Sequence, residues 1–151
     1  MLRLTTITIC TVERMYFMGK IFLDTGAWVA LFVANDINHK RATAVFDAIK
    51  ESKDLLYTSD YVLDETITTV LVRGNHKQSI LAGQAILTSK IVKIVYVNPD
   101  YLRSTWDLYQ KYNDKKFSFT DVSSLSIMKN LGITKAFAFD RELSQAGIEL
   151  I

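Results

Sequence analysis

The sequence predicts an α/β fold: a three-layer α/β/α sandwich around a mostly parallel central sheet of four to five short strands. Three observations predict it. Short apolar runs recur along the chain and read as buried strands. Between them lie segments whose apolar residues repeat at three- and four-residue spacing, the mark of amphipathic helices. Proline occurs once and glycine six times in 151 residues that are 49% hydrophobic, so one core without a long linker is expected. Strands that alternate with helices favour parallel pairing through right-handed crossovers.

The elements follow in order. Ile21-Phe22-Leu23 is an apolar run that ends at Asp24, and Thr25-Gly26 breaks it. A helix is expected over Ala27 to Ala34, then a polar turn over Asn35 to Asn38. From His39 to Lys50, Ala42, Val45, Phe46 and Ile49 mark the second helix. Leu55-Leu56-Tyr57 is the second strand, and Thr58 or Ser59 caps a helix that runs to about Arg73. Its expected buried positions are Val62, Ile67, Val70 and Leu71. Gly74-Asn75 stops it, and another helix covers Lys77 to Leu87. Ile91 to Val97 is the third strand, and Asn98-Pro99 opens a helix to about Tyr112. After a polar loop, Phe119-Thr120-Asp121 begins a helix that carries Val122, Leu125, Ile127 and Met128 to Leu131, where Gly132 ends it. Lys135 to Phe139 is the fourth strand, ending at Asp140; a short helix and a strand over Ile148 to Ile151 close the chain.

The domain is expected over residues 20–151. Residues 1–19 read as an N-terminal extension, because Met18-Gly19-Lys20 directly precedes the first strand. The apolar stretch Leu4 to Val12 is far below the roughly 20 residues a membrane-spanning helix needs, and Glu13 and Arg14 follow it. No membrane association is expected. The single Cys10 forms no internal disulfide and no Cys/His metal motif, which suits a reducing, cytoplasmic setting. The net charge of +2 does not by itself argue for nucleic acid; the distribution of charge matters more.

Four carboxylates carry the chemistry. Asp24 and Asp140 each follow a predicted strand, and so share the sheet edge where ligands of open α/β folds sit. Asp121 opens a helix, and Glu65 lies inside one that starts from that edge. Two such charges about 4 Å apart repel by roughly 4 kcal/mol at an effective dielectric near 20. A cluster is stable only if it is protonated or holds a cation. Mg2+, with Mn2+ as substitute, favours oxygen ligands and supports phosphodiester cleavage without a histidine base. Each acid has a plainer reading too: Asp121 as a helix cap, Glu65 as a solvated helix residue.

The run Ile21-Phe22-Leu23-Asp24-Thr25-Gly26-Ala27-Trp28 resembles the opening of a PIN domain. Tyr57 to Thr66, which contains Glu65, resembles that family's second acidic motif. Ser118-Phe119-Thr120-Asp121 resembles the third, and Ala138-Phe139-Asp140-Arg141 the fourth. The likeness covers about Lys20 to Ile151. It implies a metal-dependent endoribonuclease with Asp24, Glu65, Asp121 and Asp140 as catalytic and metal-binding acids. Thr25 and Thr120 would support them. Among small members it is similar to the VapC toxins, which implies a cognate antitoxin and a homodimer. Where the family often carries a further acid after the fourth motif, this chain has Glu142 and Ser144 nearby.

Lys111, Lys115, Lys116, Arg73 and Arg141 lie near the acids in sequence and are candidate RNA contacts. Phe117 or Phe119 could stack on a base. Trp28, Phe32, Trp106 and Tyr109 are an aromatic surplus that suits a core or a dimer contact. His39 and His76 read as surface residues. The alternatives are a housekeeping RNA-processing nuclease and a PIN domain that binds RNA or a partner without cutting. A haloacid-dehalogenase-type phosphatase is disfavoured, because Gly26 stands where its second aspartate would be. A response-regulator receiver is disfavoured by the position of Lys135 at the start of its strand.

Overall fold

The computed structural model describes residues 18–151. The extension expected over residues 1–19 lies outside them except for its last two residues. Five strands form one sheet: β1 (Lys20–Leu23), β2 (Leu55–Ser59), β3 (Val92–Val95), β4 (Lys135–Phe137) and β5 (Glu149–Leu150). Their order is β3-β2-β1-β4-β5, and every pairing is parallel. Seven helices accompany them among the described residues: α1 (Thr25–Phe32), α2 (His39–Ser52), α3 (Asp60–Arg73), α4 (His76–Leu87), α5 (Pro99–Lys111), α6 (Phe119–Leu131) and α7 (Glu142–Gln145). α1 packs on α2, α3 and α4, α3 on α4, and α5 on α6. None is long and apolar enough to cross a membrane.

The chain runs from β1 outward to β3, then returns to place β4 and β5 on the other side of β1. Strand order therefore reverses between β1 and β4. Such a switch point opens a crevice beyond the strands' carboxyl ends, because the connections on either side leave in opposite directions.

The core explains why β1 is central. Phe22 and Leu23 are fully buried, as are Leu56 on β2 and Phe137 on β4. A fully buried Phe or Leu contributes roughly 1.5–3 kcal/mol of burial free energy. Trp28 is also core: it packs against Phe46 at 6.0 Å and Phe32 at 6.4 Å, which removes it from any dimer surface. Its indole N–H donates to Thr58 Oγ1 at 3.2 Å, and that hydroxyl donates to the Leu23 carbonyl at 2.9 Å. This buried relay ties the end of β1 to β2 and to α1.

Several boundaries and one buried position differ from the sequence expectation. α1 starts at Thr25, because Asp24 takes the extended N-cap conformation and Gly26 falls in the first turn. β3 pairs with β2 only from Val92 to Val95. β4 stops at Phe137, because its ladder with β1 ends where β1 ends, at Leu23; Ala138 and Phe139 intervene before Asp140. Leu71 is exposed, whereas Val62 and Val70 are buried and Ile67 is partly so. The buried stripe of α3 passes through Thr66 instead.

Candidate functional site

A cleft of about 410 Å³ opens at the switch point. Asp24, Glu65, Asp121 and Asp140 all line it. They arrive on four separate segments: the end of β1, the middle of α3, the first turn of α6 and the loop after β4.

Asp24 is the deepest. It is 5% exposed, and its Oδ1 is buried with no hydrogen-bond partner among the described residues. A buried unpaired carboxylate oxygen is costly. The Asp24 carboxyl is accordingly pushed up to about 7 from 3.8. Burial is the main cause, followed by the charge of Asp121; Glu65 and Asp140 add to it, and the Thr25 backbone N–H opposes it. The charges of the other three acids therefore all act on Asp24.

Glu65 is half-buried, and its Oε2 accepts a 2.7 Å hydrogen bond from the Thr25 hydroxyl. Thr25 is thus the clasp between α1 and α3. Asp121 sits in a reciprocal cap: the Ser118 N–H donates to its Oδ2 at 2.7 Å, and its own N–H donates to Ser118 Oγ at 3.1 Å. Capping and cleft lining coexist here, because the box uses one carboxylate oxygen of two. Asp140 is exposed. A Cβ at Gly26 would lie 3.5 Å from its Oδ2, so the first turn of α1 runs alongside it.

The donor set suits a hard divalent cation. It is all oxygen, one member is buried and unpartnered, and its ionised form needs a counter-charge. Among the described residues no three acidic, histidine or cysteine side chains lie close enough together to hold a metal ion as they stand. Carboxylates without a counter-ion repel one another, which favours an open arrangement.

Of the candidate basic residues, Arg73 and Lys116 line the cleft. Arg73 also pairs with Asp36 at 3.3 Å. Lys116 is carried in by a loop anchored through Phe117, which is buried and meets Tyr112 edge-on at 4.9 Å. Burial removes Phe117 as a stacking surface. The structure does not bring the others to the cleft. Lys111 lines a separate groove with Asp107 and Lys129, and Lys115 pairs with Asp114 at 3.7 Å. Arg141 is exposed before α7, and Thr120 lies in the first turn of α6 outside the lining. His39 bonds the Ala30 carbonyl through Nδ1 at 2.7 Å, and His76 is exposed at the start of α4.

Sequence reasoning missed Asp36, Asn38 and Thr69 in the lining, and noted Glu142 only as an acid near the fourth motif. Thr69 had a signal, since it follows Glu65 by four residues on one helix face. Glu142 follows Asp140 by two, and its Oε2 is buried without a partner among the described residues. Asp36 and Asn38 lie in a segment that reads as an ordinary polar turn; Asp36 Oδ1 does accept the Asn38 N–H at 2.8 Å.

Known proteins agree with this architecture. Residues 21–149 match the PIN domain. The chain is 33% identical over 127 residues to the 23S rRNA-specific endonuclease VapC20 of Mycobacterium tuberculosis, covering 84% of this chain and 94% of that one. The crystal structure of that protein, described as a sarcin-ricin loop cleaving toxin, superposes with a TM-score of 0.78 at 32% identity, covering 85% and 95% of the two chains. The VapBC2 structure from Rickettsia felis shares the fold at 12% identity and a TM-score of 0.65, over 87% of this chain and 97% of that one.

Proposed function

The chain belongs to the PIN-domain family, and from that premise we propose that it is a Mg2+-dependent endoribonuclease, the toxin of a type II toxin–antitoxin pair. The observation that carries the reading is the convergence of Asp24, Glu65, Asp121 and Asp140 on one cleft, with the deepest of them raised to about 7. Kinship with a VapC endonuclease supports it.

In this reading the four acids hold the ion, and Mn2+ can replace Mg2+. Held by these residues, a divalent ion would supply Lewis acidity and a more acidic water for attack on the phosphate. The protein's own groups do the rest. Thr25 fixes the Glu65 carboxylate by its 2.7 Å bond, and Ser118 fixes Asp121. Lys116 and Arg73 face the cleft and hold the phosphates on either side. No histidine lines the cleft, so carboxylates handle protons there.

The partner is a cognate antitoxin that places a basic group in the acidic cleft, where it neutralises the site. The active species is a homodimer. Exposed aliphatic side chains on α3 and α4 (Leu71, Val72, Ile80, Leu81) give such partners apolar surface.

Purified chain, freed of any bound antitoxin, should cut RNA at discrete positions in Mg2+ or Mn2+. Mapping the new 5′ ends in total RNA and in ribosomes checks this and identifies the target. RNA of every class left intact in both metals would overturn the reading.

Thr25→Val should lower the cleavage rate about tenfold, because it deletes one hydrogen bond to a charged group while keeping the side-chain shape. Thr25→Ser should restore most of the rate. Equal rates for Val and wild type would remove Thr25 from the machinery.

A further inference from the structure

Four aromatic side chains outside the carboxylate site touch in sequence. Trp106 stacks on Tyr109, with ring centroids 6.1 Å apart and planes at 24°. Tyr109 meets Phe119 edge-on at 5.5 Å, and Phe119 meets Tyr61 at 6.3 Å. The row runs from the outer face of α5 to the first turns of α6 and α3. Its inner end is joined in the chain to residues that line the cleft. Phe119 lies in the chain between Ser118 and Asp121, both of which line it, and Tyr61 precedes Glu65 by one turn on the same face of α3. The outer end is open, with Trp106 53% exposed and Tyr109 40% exposed.

Core packing accounts for neither exposed ring. Aromatic side chains left in water beside a functional cleft mark a contact surface. We infer that Trp106, Tyr109, Phe119 and Tyr61 form a stacking track along which bases of single-stranded RNA approach the cleft, an inference that rests on the ribonuclease reading. Three features commit the track to RNA. Its inner residues share α6 and α3 with Asp121 and Glu65, which line the cleft. Flat rings with polar edges, the indole N–H and the tyrosine hydroxyls, suit bases, which stack on aromatic faces with little regard to sequence. Cations flank it, with Lys116 in the cleft and Arg103 one turn before Trp106 on α5.

The test uses a short phosphorothioate 2′-O-methyl oligonucleotide, which resists cleavage, and the same backbone carrying abasic sites, both in Mg2+. The chain has two tryptophans, and Trp28 is buried, so emission changes report Trp106. The base-bearing probe should quench that emission and the abasic one should not. Trp106→Ala should weaken binding of the base-bearing probe roughly tenfold and leave the abasic probe unchanged. That ratio should hold as salt rises, because stacking releases no counter-ions. Trp106→Phe, which keeps a ring, should retain most of the affinity. Equal affinity of Trp106→Ala and wild type for the base-bearing probe would overturn the track. So would light scattering that shows Trp106→Ala splitting a dimer while binding per protomer is unchanged, which would give this face to a second copy. A wild type that cuts RNA with no dependence on Trp106 sinks the track alone. A wild type that neither binds nor cuts any RNA sinks the ribonuclease reading with it.

Discussion

Asp24→Asn should abolish RNA cleavage and yet make the metal-free protein harder to unfold at pH 8. The first effect follows from the proposed role. Losing roughly 4 kcal/mol of transition-state stabilisation lowers the rate about a thousandfold. The second follows from burial. In the folded chain the Asp24 carboxyl titrates near 7, against 3.8 as its ordinary value. The folded state therefore binds a proton that the unfolded state has already released. Its contribution to stability is complete below about pH 4, declines as pH rises, and is lost once pH passes about 7. The full swing is about 4 kcal/mol at most. The groups that face Asp24 and enlarge it are Asp121 from α6, Glu65 from α3 and Asp140 from the loop after β4. Asparagine has no charge to disfavour, so its urea-unfolding free energy between pH 5 and 9 should lose most of the wild-type slope. A wild-type profile that is flat, or an Asn variant that is weaker at pH 8, would contradict the burial account.

Mg2+ should return the stability that the crowded acids withhold. At a hundred times its Kd, a ligand bound only by the folded state adds about 2.7 kcal/mol. For a chain of this size that corresponds to a rise in Tm of roughly 5–10 °C. EDTA should reverse the rise and stop cleavage together, and Mg2+ or Mn2+ should restore both. Asp24→Asn should show little of the thermal shift, which separates loss of binding from loss of chemistry. A wild type whose Tm ignores Mg2+ up to millimolar concentration would rule out the four acids as the ion's ligands.

The fold was legible in the sequence because its signals are periodic. Apolar runs and three-and-four spacing mark β1, α2 and α6 without reference to anything distant. Asp24 was legible for the same reason, since a buried strand ends on it. Asp140 was read one step too simply. Its strand stops when β1 stops pairing, and that limit belongs to the partner strand. Leu71 shows the same dependence: helix period alone does not say which of two adjacent apolar residues faces a neighbour. The basic residues were hardest. Lys116 reaches the cleft and Lys115 beside it pairs with Asp114, because a loop's path is set by its anchors, here Phe117 on Tyr112. Asp36 went unseen because its role comes from Arg73, far away in the chain.

The position of β1 also bears on when, on the proposed reading, the molecule becomes able to cut. Ile21 pairs with Leu56 on one side and with Lys135 on the other. The first partner is close along the chain and the second is remote, and remote pairings form slowly. A half-built molecule holding β1, β2 and β3 carries Asp24 and Glu65 without Asp121 or Asp140. On the proposed reading it is harmless, and the power to cut arrives only with the last long closure.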